Sequence, residues 1–321
     1  MNDAHARLLE LSRWLCGELA PAAWSSERRA ALQLEAERHG VIGLLEPKAP
    51  AALALRARSL RALRFTLRCV AALEAERIEV VVLKGAACAS LWPDPTVRPQ
   101  GDVDLLVAPH ALERAAKALL DAGVARARVV EGRHLHNATL TPAPGGLNIE
   151  LHHGLTSHHE LTVDVEHLLA RRRRVVTGQG PLPALALEDD AVYLALHAAT
   201  HAMMRLAWVV DLQGLHLSGV DWVEAARRAR AWNAAAAVEL AWRDARELLA
   251  VSIPEAAFEA LGVGRARAQL THALLELARG TGAESSTSAR LLRLAMVPTV
   301  DLPKVVLRKL RANREEAQGH G

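Results

Sequence analysis

Two carboxylates sit two residues apart in Gly101-Asp102-Val103-Asp104-Leu105-Leu106-Val107. In an extended strand that spacing turns both toward one face, about 7 Å apart at Cα for roughly 3.3 Å of rise per residue. Adjacent like charges in an otherwise apolar strand are unfavourable unless something positive lies between them. A pair of Mg²⁺ ions clamping a phosphate under attack is one such arrangement. Upstream, Val80-Val81-Val82-Leu83 runs into Lys84-Gly85 and the small residues Ala86-Ala87-Cys88-Ala89-Ser90. A glycine at a strand-to-helix turn can present backbone N–H groups to phosphate. Downstream, Leu147-Asn148-Ile149-Glu150-Leu151-His152 alternates apolar and polar, so Asn148, Glu150 and His152 share one strand face.

Val80 to Ala87, followed by Arg98-Pro99-Gln100-Gly101-Asp102-Val103-Asp104-Leu105-Leu106-Val107, resembles the signature of the uncharacterised nucleotidyltransferase-like family within the DNA polymerase β-type superfamily. Tyr193-Leu194-Ala195-Leu196-His197-Ala198-Ala199-Thr200-His201, with Arg205, Trp208 and Asp211, is similar to that family's helical module, so the resemblance spans roughly residues 75 to 220. It implies that Asp102, Asp104 and a third acid from a neighbouring strand are catalytic and hold Mg²⁺ or Mn²⁺. Glu150 fits as that third acid, with Asp164 a weaker rival because Val163-Asp164-Val165-Glu166 reads as a helix start. Glu150 would act as base on the incoming hydroxyl or help to hold the metal. Lys84, Gly85 and Arg98 would bind the triphosphate of an NTP donor, Arg98 alternatively steadying its loop. His152, His197 and His201 would line a base or acceptor pocket. The implied activity is metal-dependent transfer of an NMP from an NTP to a hydroxyl or amine, with release of pyrophosphate. The acceptor stays open among a small molecule, a peptide, a protein side chain and an RNA end. Ala86 departs from the serine or glycine usual after the glycine of the superfamily motif. That motivates a second reading, a catalytically inactive nucleotide-binding or scaffold protein on the same fold.

Two sets of histidines and a run of arginines stand outside that pattern. His152-His153 and His158-His159 follow Glu150, and mixed histidine and carboxylate could bind zinc, but their spacing is not that of a zinc site. His197 and His201 share a helix face, yet Ala198 occupies the position where a zinc-protease helix carries its glutamate, and a satisfied core pair is the alternative to a role in the cleft. Arg171 to Arg174 reads as a solvated strand edge, with contact to a polyanionic acceptor such as RNA as the alternative.

Composition bounds the class. A chain of 321 residues suggests about two domains. No run approaches the roughly 20 apolar residues of a membrane span, and Met1-Asn2-Asp3-Ala4-His5-Ala6-Arg7 does not open like a secretion signal. Cys16, Cys69 and Cys88 make no metal spacing or disulfide set, which fits a reducing cytoplasm. A net charge of +3 is too small to argue for nucleic acid, and 3% aromatics leaves few stacking platforms for single strands. Of 39 basic residues only five are lysines, so Lys84 stands out.

The elements that must position these residues fall into three regions. Residues 1–75 are helical by period (Leu8, Leu11, Leu15, Leu19; then Leu53, Leu60, Leu63, Leu67, Val70), broken around Pro47 and Pro50. Residues 76–180 form an α/β core with strands expected at 80–83, 103–107, 127–130, 138–141 and 147–151, and a helix at 109–122. Residues 185–315 are helical, with helices expected at 188–204, 221–231, 235–249, 254–261 and 265–278, a loop at 280–288, a last helical stretch interrupted by Pro298 and Pro303, and a frayed tail from Arg311. The expected class is α+β: a small mixed sheet of nucleotidyltransferase type between an N-terminal helical region and a C-terminal helical domain.

Overall fold

A computed structural model describes residues 3–19, 24–129, 137–155, 161–281 and 287–297. His158, His159, Pro298, Pro303 and the tail from Arg311 lie outside the described residues. The fold is α+β. Helices α1 (Asp3–Leu15), α2 (Ser26–Arg38), α3 (Ile42–Leu45) and α4 (Pro50–Ala75) come first. Pro50 is the first residue of α4, where its missing N–H costs nothing.

Strands β1 (Val80–Val82) and β2 (Asp102–Val107), helix α5 (Leu112–Asp121), strands β3 (Ala125–Val129), β4 (Asn137–Pro142) and β5 (Asn148–His152), helix α6 (Val165–Ala170), and strands β6 (Arg173–Thr177) and β7 (Gly180–Ala184) follow. The seven strands form one mixed sheet in the order β3-β4-β5-β2-β1-β7-β6. The β2–β5 and β1–β7 pairs are parallel and the rest antiparallel. Central β1 and β2 read as continuous apolar runs because they are buried on both faces. Asp104 is the polar exception in the buried part of β2.

The β6–β7 hairpin was not expected from the sequence as a pair of strands. β7 carries Pro181 and Pro183, which lack donors on one side of the strand, and β7 meets β1 only at Val82–Ala184. Arg171 to Arg174 lie at the sheet edge expected, with side chains 26–56% exposed, and each is also paired. Arg171 makes a bidentate contact with Asp189 (2.5 and 2.8 Å), Arg172 pairs with Glu79, Arg173 with Asp190 (2.9 Å) and Arg174 with Glu74. Asp189 and Asp190 are fully buried. Buried carboxylates need such partners, so Arg171 and Arg173 clamp the sheet edge to the following helix, while Arg172 and Arg174 pair with acids that precede β1.

That helix is α7 (Leu187–Thr200), followed by α8 (Leu206–Leu217), α9 (Trp222–Ala231), α10 (Ala235–Leu249), α11 (Glu255–Leu261), α12 (Arg265–Thr281) and α13 (Thr287–Met296). Five of these match expected helices within a few residues, but α8 was not expected. Leu206 to Leu217 is apolar nearly all round and buried, so it has no amphipathic period to read. α8 lies against the 3₁₀ helix Ala87–Leu91, and a Cβ on Gly214 would stand 2.1 Å from the Leu91 carbonyl oxygen. Among the described residues no helix is long and apolar enough to cross a membrane. Cys16, Cys69 and Cys88 are all free.

Candidate active site

The pairing of β2 with β5 assembles the polar centre. Their register sets Asp102 opposite Asn148, Asp104 opposite Glu150 and Leu106 opposite His152. Paired residues in a sheet point the same way, and alternate residues share a face. Asp104, Glu150 and His152 therefore converge. His152 Nε2 lies 3.1 Å from Asp104 Oδ1 and 3.4 Å from Glu150 Oε2. One ligand atom from each of the three falls within 4.8 Å of the others.

Lys84, just past β1, reaches the same face. Its Nζ is 3.4 Å from Asp104 Oδ1 and 3.8 Å from Asp102 Oδ2. The ammonium thus lies by both strand carboxylates, which is the positive charge their spacing calls for. Leu83 N–H donates to the Asp104 carbonyl, which extends the β1–β2 contact up to this lysine. Gly85 adopts φ +59°, and a Cβ there would make only ordinary contacts, so the left-handed backbone and not space is what requires glycine. The turn leads into a 3₁₀ helix, Ala87–Leu91, and Ala86 is buried.

The electrostatics follow from burial inside a charged cluster. Burial draws the Lys84 ammonium down in pKa, but Asp104, Asp102 and Glu150 together raise it above its ordinary value. His152 behaves the same way: burial lowers it, and its bonds to Asp104 and Glu150 carry it above the usual imidazole range. Burial and then Asp104 raise Asp102, against the opposing pull of Lys84. Asp104 itself is 2% exposed, and its Oδ2 is buried without a hydrogen-bond partner. A cation would satisfy that oxygen, and carboxylate with imidazole is a donor set that divalent metals accept.

A second group borders the cluster from α7 and α8. His197 and His201 meet in a tilted contact (56° between planes) with ring centroids 4.7 Å apart, and Trp208 meets them at 5.2 and 5.5 Å. Between the helices Ala202 and Met203 adopt φ +52° and +51°. Two consecutive left-handed non-glycine residues cost on the order of 1–2 kcal/mol each, and this turn folds α8 back so that Trp208 faces the two histidines. Burial, followed by the charges of Lys84 and His201, holds His197 well below the ordinary imidazole pKa. Tyr193, one turn earlier, is buried and pushed far up by that burial and by Asp104.

Arg98 is placed differently from the phosphate contact proposed for it. Its guanidinium is buried and bidentate on Asp211 (2.9 and 2.8 Å), and NH1 donates to the Pro99 carbonyl. Trp92 Nε1 donates to Asp211 at 2.6 Å, and Ser59 donates to the Arg98 carbonyl. The alternative role, steadying the loop before β2, is what this geometry provides. Asp164 caps α6, accepting from the Glu166 and His167 amides, in keeping with the helix start read there. The sequence places His152 on the strand face of Glu150 and in an acceptor pocket; its place beside Asp104 comes from strand pairing.

Residues 31–250 match the uncharacterised nucleotidyltransferase family, and the chain belongs to it. The match reaches beyond the span of residues 75 to 220 that the motifs suggested, into the flanking helices on both sides. No curated protein matches the chain. Among solved structures, an antigenic nucleotidyltransferase-like protein from Paracoccidioides brasiliensis shares 18% identity, with 62% of this chain and 97% of that one covered and a TM-score of 0.39.

Proposed function

We propose that this protein transfers a nucleoside monophosphate from an NTP to a hydroxyl or amine, releasing pyrophosphate. The observation that carries this reading is the convergence of Asp104 and Glu150 across the β2–β5 pair, with the Lys84 ammonium beside them, in a member of a nucleotidyltransferase family. Asp104 and Glu150, with Asp102 at the more open end, would hold Mg²⁺ or Mn²⁺. When bound, such an ion neutralises charge on the phosphate under attack. Lys84, kept protonated by its carboxylates, is the point charge for the triphosphate. Glu150, one-third exposed, is the carboxylate that incoming acceptors can reach. It takes the acceptor's proton as the new oxygen–phosphorus or nitrogen–phosphorus bond forms and the bond to the pyrophosphate oxygen breaks. His197, His201 and Trp208 form a ring-lined wall suited to the base or to the acceptor.

Asp104→Asn tests the reading. Wild-type protein at an NTP concentration of 100 Kd should gain about 2.7 kcal/mol of stability with Mg²⁺, a thermal shift of a few degrees, and should release pyrophosphate once an acceptor is supplied. The variant should lose both while keeping its circular dichroism. Wild-type turnover in Asp104→Asn would sink the assignment.

The buried, hydroxyl-free Ala86 favours one other reading, a nucleotide-binding protein without transfer activity on the same fold. NTP-dependent stabilisation with no pyrophosphate from any acceptor would support it over the transferase.

A further inference from the structure

We propose that the cation site of this protein is a two-carboxylate, one-imidazole site formed by Asp104, Glu150 and His152, and that it therefore selects a transition-metal ion such as Mn²⁺ over Mg²⁺. The inference rests on the reading of this face as a metal-dependent transfer site and specifies which residues hold the metal and which class of ion they take. Three observations carry it. First, the group whose ligand atoms lie within 4.8 Å of one another contains His152 and not Asp102. Asp102 lies at the more exposed end of the strand, 3.8 Å from the Lys84 ammonium that also stands 3.4 Å from Asp104. Second, His152 is held in place. It is 5% exposed, sits on the same strand as Glu150 and contacts both carboxylates through the same ring nitrogen, Nε2. A side chain that joins two metal-binding carboxylates through one atom can present that atom to an ion bound between them with little rearrangement. Third, Asp104 Oδ2 is buried with no donor, so the cluster retains an acceptor that its present contacts leave unsatisfied.

The chemistry of the donor set then decides the ion. Mg²⁺ is a hard ion that takes oxygen ligands in near-ideal octahedral geometry and keeps several waters. Imidazole nitrogen suits the later first-row divalent ions, while carboxylate oxygen suits Mn²⁺ and Mg²⁺ alike. A site that offers one nitrogen with two carboxylates favours an ion that accepts both. Mn²⁺, although the first of that series, takes imidazole nitrogen more readily than the hard Mg²⁺ does and still binds phosphate oxygen.

Pulsed EPR of Mn²⁺ added to the wild-type protein tests this without any activity measurement. The expected spectrum contains ¹⁴N coupling from a directly bound imidazole, and His152→Gln removes that coupling. In the same variant the Kd for Mn²⁺ rises at least about tenfold, the scale of effect that losing only an outer partner of a ligand already produces, while the Kd for Mg²⁺ changes much less. Mn²⁺ bound in an Asp104-dependent way but without nitrogen coupling overturns the inference and leaves the transferase reading intact. Equal losses of Mn²⁺ and Mg²⁺ affinity in His152→Gln also overturn it, because His152 would then act only as a counter-charge. Wild-type protein that binds neither ion, with or without NTP, overturns both the inference and the metal-dependent reading beneath it. The wild-type spectrum decides the ligand question even if the variant folds poorly.

Discussion

Removing the charge of Asp211 should be among the most damaging single changes in the protein, although Asp211 lies outside the carboxylate cluster. Asp211 is 1% exposed and accepts three hydrogen bonds, one from Trp92 and two from an Arg98 that is itself buried. Asp211→Asn keeps the shape and one acceptor but leaves a buried guanidinium without its counter-charge. Breaking a buried pair in this way costs about 3–5 kcal/mol, against a total stability of roughly 5–15 kcal/mol for a typical folded chain. Arg98→Met should cost a similar amount, since it strands a buried carboxylate. The double variant Arg98→Met/Asp211→Leu should recover most of the loss. Replacing both charges with apolar groups of similar size is often neutral or better; the buried Trp92 N–H then goes unmatched, at about 1–3 kcal/mol, and the part-buried Pro99 carbonyl loses its Arg98 donor. Urea unfolding followed by tryptophan fluorescence, at a common slope, measures Asp211→Asn and the four corners of the cycle: wild type, Arg98→Met, Asp211→Leu and the double variant. The expected coupling between the two sites is at least about 3 kcal/mol. A loss of under about 1 kcal/mol in Asp211→Asn refutes the reasoning from a buried ion pair. So does an Arg98→Met protein of normal stability that no longer binds NTP, because Arg98 would then be a phosphate ligand after all.

Two further expectations concern how α8 is held. His39 at the end of α2 accepts the Leu206 N–H at Nδ1, its carbonyl accepts the Ala207 N–H, and burial holds its pKa down at about 4. The folded state therefore resists protonation that the unfolded chain accepts near 6.5. The stability this provides is complete above that value and is lost as pH falls from about 6.5 to about 4, by at most about 3 kcal/mol at 1.36 kcal/mol per unit. His39→Gln, which can accept the same N–H without titrating, should flatten that part of a stability–pH curve, and an unchanged slope would exclude His39 as its source. Gly214→Ala would place a Cβ 2.1 Å from the Leu91 carbonyl oxygen. The helix propensity gained, about 1 kcal/mol, should be outweighed, for a net loss of about 1–3 kcal/mol in thermal or urea unfolding. A stabilised variant would show that α8 is not pressed against this turn.

The parts of the fold that were legible in the sequence are those with a local pattern. The alternating run Leu147 to His152 became β5, the apolar run after Asp102 became β2, and Ala235–Leu249 became α10 at the expected bounds. α8 and the β6–β7 hairpin were illegible for opposite reasons. One is apolar on every side and has no period, and the other carries prolines that argue against a strand, tolerated here where β7 meets β1 at a single pair. The arginine run was legible as a sheet edge, but nothing local to it reveals that Asp189 and Asp190 wait 18 and 17 residues further on.

The same contrast separates the two halves of the site. Asp102, Asp104 and Lys84 were legible because the chemistry that would use them lies along one strand and the turn before its partner. Glu150 was legible from its alternation, and the register of β2 with β5 puts it opposite Asp104. Alternation sets His152 on the face of Glu150, but its contact with Asp104 could not be read from spacing, because its neighbour in the chain, His153, is not its neighbour in the cluster. Pairing two parallel strands brings a histidine to a carboxylate 48 residues away while sending the adjacent side chain to the other face. A test for zinc-like spacing along one segment therefore compares the wrong pairs, since His152 meets Asp104 and Glu150 across and along the strands. Arg98 is the converse case: four residues from Asp102 in sequence, it is committed to a partner on α8 that is 113 residues away. In this protein, nearness to the Asp-x-Asp motif along the chain is a poor guide to which charges serve it. Strand register decides membership of the cluster, and burial against α8 decides which arginine is withdrawn from it.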